Sequence, residues 1–211
     1  MGQTKWGRLP PEVCRQILSA RPRGGSRRAQ RELAEWNALS KAKQTKIGTV
    51  ISSEGFALAV ATMETDPAKL GNISSALVVD ENSGTLSTRR KTVAGPVQRT
   101  VYYDVTSWWK YTYSVYGVAI TSVKQTYDYQ TNASTVTASY ACRGTSTNWA
   151  PTRSISVISV DHWKSSGKGY CNIAWRLSYA IGWVPTPLHN DFTQKMRVNG
   201  SSGIESTTFV D

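Results

Sequence analysis

The chain has 211 residues, a hydrophobic fraction of 39% and a formal net charge of +11, which allows one sizeable domain or one domain with an extension. Residues 1–47 hold eleven Lys/Arg against three Asp/Glu, whereas residues 48–211 hold fourteen against eleven. Because the second part is only mildly cationic, the composition argues against a nucleic-acid binder that uses the whole chain. No stretch is apolar for long enough to span a bilayer, so we expect no transmembrane segment.

Residues 1–63 are predicted to form a basic, partly helical leader or extension. Two short basic helices around Gly24-Gly25 are expected, and together they have the outline of a helix-turn-helix. In that alternative, the basic side chains near nucleic-acid phosphates are Arg23, Arg27, Arg28 and Arg31. A solvated basic arm, or a leader segment that precedes the true start of the protein, explains the same composition, since phosphate attraction needs no fold.

The segment 41–63 has two interpretations. Lys41, Lys43 and Lys46 precede a moderately apolar run from Ile47 to Met63, which resembles a degenerate signal sequence. The same residues also fit a short amphipathic helix. Residues 64–97, rich in Gly, Ser, Asn and Thr, are predicted to be a linker with one edge strand near the apolar patch at 76–79.

Residues 98–211 are predicted to form a β-rich domain. From Val101 onward apolar residues recur with period two, notably over Val115–Tyr129 and most regularly over Cys171–Trp183. Within residues 154–163 the apolar positions change phase after Val157, which indicates a β-bulge, and Asn199-Gly200 indicates a hairpin turn. Several closely spaced strands without helical runs predict a mostly β fold, an antiparallel β-sandwich or a small barrel.

Cys142 and Cys171 both lie in predicted strands of this domain. Alternation places Cys142 on one face with Val136, Ala138 and Tyr140, and Cys171 on one face with Trp175, so both thiols should point inward. We therefore predict a Cys142–Cys171 disulfide, which implies an extracellular or cell-surface setting. The alternative is a pair of buried free thiols in a cytoplasmic protein.

The two histidines, His162 and His189, each stand beside an aspartate, Asp161 and Asp191. A shared metal site or an acid/base pair is one interpretation. Sequence neighbours on a strand point to opposite faces, and no zinc-enzyme spacing is present, so we interpret these residues as surface turns. No catalytic residue, metal ligand or cofactor is predicted.

The run Trp108–Tyr116 carries aromatic side chains on both faces of one segment. Trp109, Tyr111 and Tyr113 share one face, and Trp108 and Tyr116 share the other. A sheet with one face in water needs only one such face for its core, so the second set is expected to be exposed and able to bind a ligand. All five aromatic residues of the run are candidate ligand-binding residues. Trp149 and Trp163 are further candidates. The alternative is a central strand whose two faces are both covered.

These observations favour a secreted or surface-associated, non-enzymatic domain that binds a cell-envelope glycan or a surface protein through exposed aromatic residues. One alternative is a nucleic-acid-associated protein that uses the basic N-terminal helices. A second is a hydrolase whose site is assembled from Asp161, His162, His189 and Asp191, which requires these four residues to converge in one pocket.

Overall fold

The computed structural model describes Ala34, Phe56 and residues 37–51, 76–94, 99–148, 153–179, 188–201 and 203–210. Within these described residues one helix, α1 (Lys41–Ile51), precedes eight β-strands. The strands are β1 (Leu77–Ala94), β2 (Arg99–Val115), β3 (Val118–Thr131), β4 (Val136–Asn148), β5 (Arg153–Ser165), β6 (Lys168–Tyr179), β7 (Leu188–Asn199) and β8 (Gly203–Val210).

The strands form two antiparallel sheets of four, each in simple meander order. Sheet A has the order β1-β2-β3-β4 and sheet B has the order β5-β6-β7-β8. Two hairpins turn through pairs of residues with positive φ, namely Tyr116-Gly117 and Ser166-Gly167. Such pairs match the right-handed twist of the flanking strands.

The sheets pack face to face, and the predicted alternation explains the core between them. In β6 every second residue from Cys171 to Leu177 is fully buried, which confirms the period-two pattern there. Within the described residues no strand of sheet A forms a ladder with a strand of sheet B. Of the two predicted architectures, the sandwich is therefore the one observed.

The predicted disulfide joins the two sheets. Cys142 in β4 and Cys171 in β6 have their Cα atoms 5.6 Å apart. The fully buried Gln125 supports this link, because its Nε2 donates to the Cys171 carbonyl at 2.7 Å and to the Gln194 carbonyl at 3.2 Å. Trp175 Nε1 donates in turn to Gln194 Oε1 at 3.2 Å. The mostly apolar core thus contains an amide network across its middle.

Two predictions about strand regularity have different outcomes. The bulge in β5 is confirmed, because the pairing with β6 shifts between Val157 and Ser159. The inward placement of Tyr140 is wrong. The β3–β4 pairing skips this residue, since Asp128 pairs with Ala141 and Tyr129 with Ser139, and Tyr140 is 50% exposed.

The helix α1 covers the first part of the segment 41–63, which the sequence allows to be either a degenerate signal sequence or a short amphipathic helix. Its first turn is capped by Ser40, whose Oγ accepts from the Lys43 backbone N–H at 3.3 Å. Ile47 and Ile51 are buried in the core beside Phe56, and the helix lies against β2. The strand β1 lies inside the predicted linker, where one edge strand is expected.

Candidate functional site

The aromatic run in β2 divides between the core and the outer face of sheet A. Trp109 and Tyr113 are each 1% exposed, so their rings are out of reach of a ligand in the folded domain. Trp109 Nε1 donates to Glu81 Oε1 at 2.7 Å, and the Tyr111 hydroxyl donates to Glu81 Oε2 at 3.1 Å. Partial burial and the neighbouring Glu81 carboxylate raise the pKa of Tyr111 to about 12.

On the outer face, Trp108 is half-buried rather than free. It pairs across strands with Gly84, and a Cβ built at that glycine would lie 3.0 Å from the indole. The Lys124 ammonium lies 4.9 Å from the ring centroid, at cation–π distance. Trp108 therefore covers a glycine of the edge strand β1, while Tyr116 is 42% exposed at the β2–β3 turn.

The most accessible tryptophan in the described part of the chain is Trp163, on the outer face of sheet B. It is 41% exposed and stacks on its cross-strand partner Tyr170, with ring centroids 4.9 Å apart and planes at 5°. The bulge in β5 determines this orientation. After the bulge Val160 pairs with the buried Ile173 and so lies on the inner face of β5. Because successive residues of a strand point to opposite faces, Trp163, three positions further on, points outward.

Polar side chains surround this stacked pair. Across β6 and β7, Tyr170 pairs with Arg197 and Asn172 pairs with Lys195, while Asp161 pairs with Asn172 on the other side. Arg197 and Lys168 both approach Glu205, and the hydrogen bond from Lys168 holds the pKa of that carboxyl below its usual value. The surface thus combines an exposed indole with donors and acceptors.

The four residues of the hydrolase alternative do not converge. His162 lies opposite Cys171 and His189 opposite Ser178, seven residues along β6, which is a separation of about 23 Å. Each imidazole instead bonds a serine through Nδ1, His162 to Ser139 at 2.8 Å and His189 to Ser178 at 2.9 Å. Asp191 forms a two-point pair with Arg176, and the hydrogen bond from Arg176 lowers its pKa.

Comparison with protein-family models, with curated proteins and with solved structures found no match.

Several predictions fall on other parts of the molecule. The predicted phosphate contacts Arg23, Arg27, Arg28 and Arg31, and also Trp149, lie outside the described residues. In the described ranges no group of three or more His, Cys, Asp and Glu side chains is arranged to hold a metal. No helix in those ranges is both long and apolar enough to cross a membrane.

Sequence reasoning named Trp163 but missed its partner Tyr170. The signal was available, because Ser166-Gly167 between two strand-like runs is a hairpin turn that pairs these residues.

Proposed function

We propose that residues 77–210 form a non-enzymatic recognition domain of an extracellular or surface-attached protein, and that this domain binds an envelope polysaccharide through Trp163. The observation that carries the proposal is an indole 41% exposed and held in one orientation by its stack on Tyr170. A ring fixed in this way loses little conformational freedom when it binds.

The setting is supported by the disulfide. Bonds such as Cys142–Cys171 form and persist in oxidising compartments and are rare in the cytosol of most organisms. This domain uses the bond to join its two sheets, so an oxidising environment would stabilise the folded state.

The surroundings of Trp163 favour a glycan over a protein partner. The centre of a protein interface is depleted of charged residues, whereas Asp161, Asn172 and Arg197 lie in the rows of the sheet around the stacked pair. A pyranose ring presents C–H groups to the electron-rich face of an indole and hydroxyls to polar neighbours. Both kinds of partner group are present on this face.

Co-sedimentation with insoluble polysaccharides tests the proposal. The folded protein is incubated with chitin, cellulose and peptidoglycan, and the bound fraction is compared with that of Trp163→Ala and Trp163→Phe. We expect Trp163→Ala to weaken binding about tenfold, equivalent to about 1.4 kcal/mol, and Trp163→Phe to retain most of it, because an aromatic face remains.

Trp108→Ala is the matched control, since it removes an indole from the outer face of the other sheet. Equal retention of native protein and Trp163→Ala would contradict the proposal, provided that both have the same circular dichroism spectrum. Retention by none of the three polysaccharides, with binding to an envelope protein that depends on Trp163, would assign the surface to a protein partner instead.

A further inference from the structure

The two pairs of sheet edges meet in different ways. Along the β4–β5 seam no ladder of backbone hydrogen bonds joins the two strands, and separate contacts hold the edges together. Ser139 contacts His162, and the Tyr127 hydroxyl donates to the Trp163 carbonyl at 3.2 Å. In addition, the Val136 N–H donates to the Gly167 carbonyl at 2.8 Å. Along the β1–β8 seam the sheets leave a cleft of about 320 Å³. This volume is at the lower end of the range of small-molecule sites.

The cleft has a stable frame. At one end Thr131 Oγ1 lies 2.6 Å from the Gly200 carbonyl and 2.9 Å from the Thr135 carbonyl, which ties the β3–β4 turn to the β7–β8 turn. Along its side β8 approaches β1 at Gly203, where φ is +85° and an added Cβ would lie 2.4 Å from Thr85 Oγ1. Only glycine allows this approach.

Three hydroxyl groups at the wall of the cleft form a hydrogen-bonded chain. Tyr129 and Thr85 line the cleft, and the fully buried Ser107 joins them, with its Oγ 3.2 Å from the Tyr129 hydroxyl and 2.9 Å from Thr85 Oγ1. The chain therefore runs from a buried phenol to a threonine at the surface.

Burial determines the direction of this chain. Tyr129 is 1% exposed, and burial raises the pKa of its phenol, which keeps the proton on oxygen. A buried donor without a partner costs about 1–3 kcal/mol, which favours the arrangement in which the phenol donates to Ser107 and Ser107 donates to Thr85. In this arrangement the Thr85 hydroxyl accepts from Ser107 and keeps its own proton as a donor directed toward the cleft.

The other lining groups define the ligand chemistry. Tyr103 and Val105 contribute apolar surface, and Ser87 and Ser201 contribute hydroxyls at the exposed rim. None of the described side chains that line the cleft is charged. An anion would therefore lose its hydration without a compensating cation, whereas a neutral polyol offers oxygens to Thr85 and C–H groups to Tyr103.

We infer that this cleft is a second binding site, which takes one neutral pyranose or a polyol of similar size. The site shares no residue with the surface around Trp163, so it stands or falls separately from the proposed function.

Titration of the folded protein with methyl glucoside, methyl galactoside and methyl mannoside, followed by amide chemical shifts, tests the inference. We expect at least one of them to saturate with a dissociation constant on the order of 1–10 mM, with shifts centred on Thr85, Ala133 and Ser201. Methyl glucuronide should bind more weakly because the cleft lacks a cation.

Thr85→Val removes the threonine hydroxyl that faces the cleft and keeps the shape of the side chain. Tyr129→Phe removes the phenol hydroxyl at the buried end of the hydrogen-bonded chain. Each should weaken binding about fivefold, the loss of one hydrogen bond. Thr112→Val and Tyr111→Phe are matched controls outside the cleft, and neither should change the affinity. Ser201→Trp blocks the exposed rim without a change in the core, so the inference stays testable if Tyr129→Phe fails to fold.

The absence of saturable binding by all three methyl glycosides would overturn the inference, as would unchanged affinity in both Thr85→Val and Ser201→Trp. Trp163→Ala should bind the methyl glycosides as the native protein does. A loss there would move the binding to the outer face of sheet B and also overturn the assignment of the cleft.

Discussion

At the scale of single residues, two adjacent tryptophans have different roles. Trp109 is buried between the sheets and contacts Phe209 at a centroid distance of 4.7 Å, whereas Trp108 lies on Gly84 at the surface. We expect Trp109→Ala to lower the free energy of unfolding by about 3–5 kcal/mol, because it leaves a large cavity, and Trp108→Ala to lower it by less than half as much. Urea unfolding measures both, and equal losses would contradict the assignment of faces.

Alternation along residues 108–116 was enough to predict two aromatic faces, but not which one is the core. Both faces carry large rings, so hydrophobicity alone does not distinguish them. The pairing of β2 with β3, whose Tyr127 and Tyr129 point inward, decides the question. The buried Gln125 and Gln194 could not be foreseen either, since glutamine is usually exposed.

At the scale of elements, glycines inside strands make room for rings of the opposite sheet. A Cβ at Gly144 in β4 would lie 2.8 Å from the Trp175 indole. We predict that Gly144→Ala lowers the free energy of unfolding by about 1–3 kcal/mol through overpacking, whereas Ser146→Ala, on the exposed part of the same strand, has a small effect. Thermal unfolding compares the two, and an unchanged midpoint for Gly144→Ala would show that the sheets are not this close.

Strands with one buried face were predictable over most of their length, whereas only the start of the edge strand β1 was. β6 and β5 follow the sequence pattern, including the bulge. β1 extends over 18 residues, but polar residues outnumber apolar ones in it, because an edge strand gains much of its stability from backbone pairing with β2. The predicted strand over Val115–Tyr129 also ran through the Tyr116-Gly117 turn, since tyrosine at positive φ is uncommon.

At the scale of the whole molecule, each sheet is built from consecutive hairpins, and the two sheets are separate in sequence: β1 to β4 precede β5 to β8. The sequence predicted the strands and the cysteine pair, but not this division into two sheets. The division arises because β4 and β5, which are consecutive in the chain, do not pair with each other and each forms the edge of its own sheet. The disulfide is then a covalent cross-link between two halves that share no ladder in the described residues.

The disulfide should contribute strongly to stability. The two cysteines are separated by 29 positions, and closing a loop of this size stabilises the folded state by about 3–4 kcal/mol on the chain-entropy description. We expect reduction, or Cys142→Ser with Cys171→Ser, to lower the urea midpoint of unfolding accordingly. An unchanged midpoint would show that the side-chain contacts of the β4–β5 seam hold the sheets together without the bond.

The most direct test of the sandwich is the state of these two thiols in the native protein. Peptide mass mapping after alkylation without reduction should give one cross-linked peptide pair that contains Cys142 and Cys171, and reduction should release both for labelling. If both cysteines are alkylated in the unreduced, folded protein, the two sheets are not joined as described, and the argument for an oxidising compartment is lost with them.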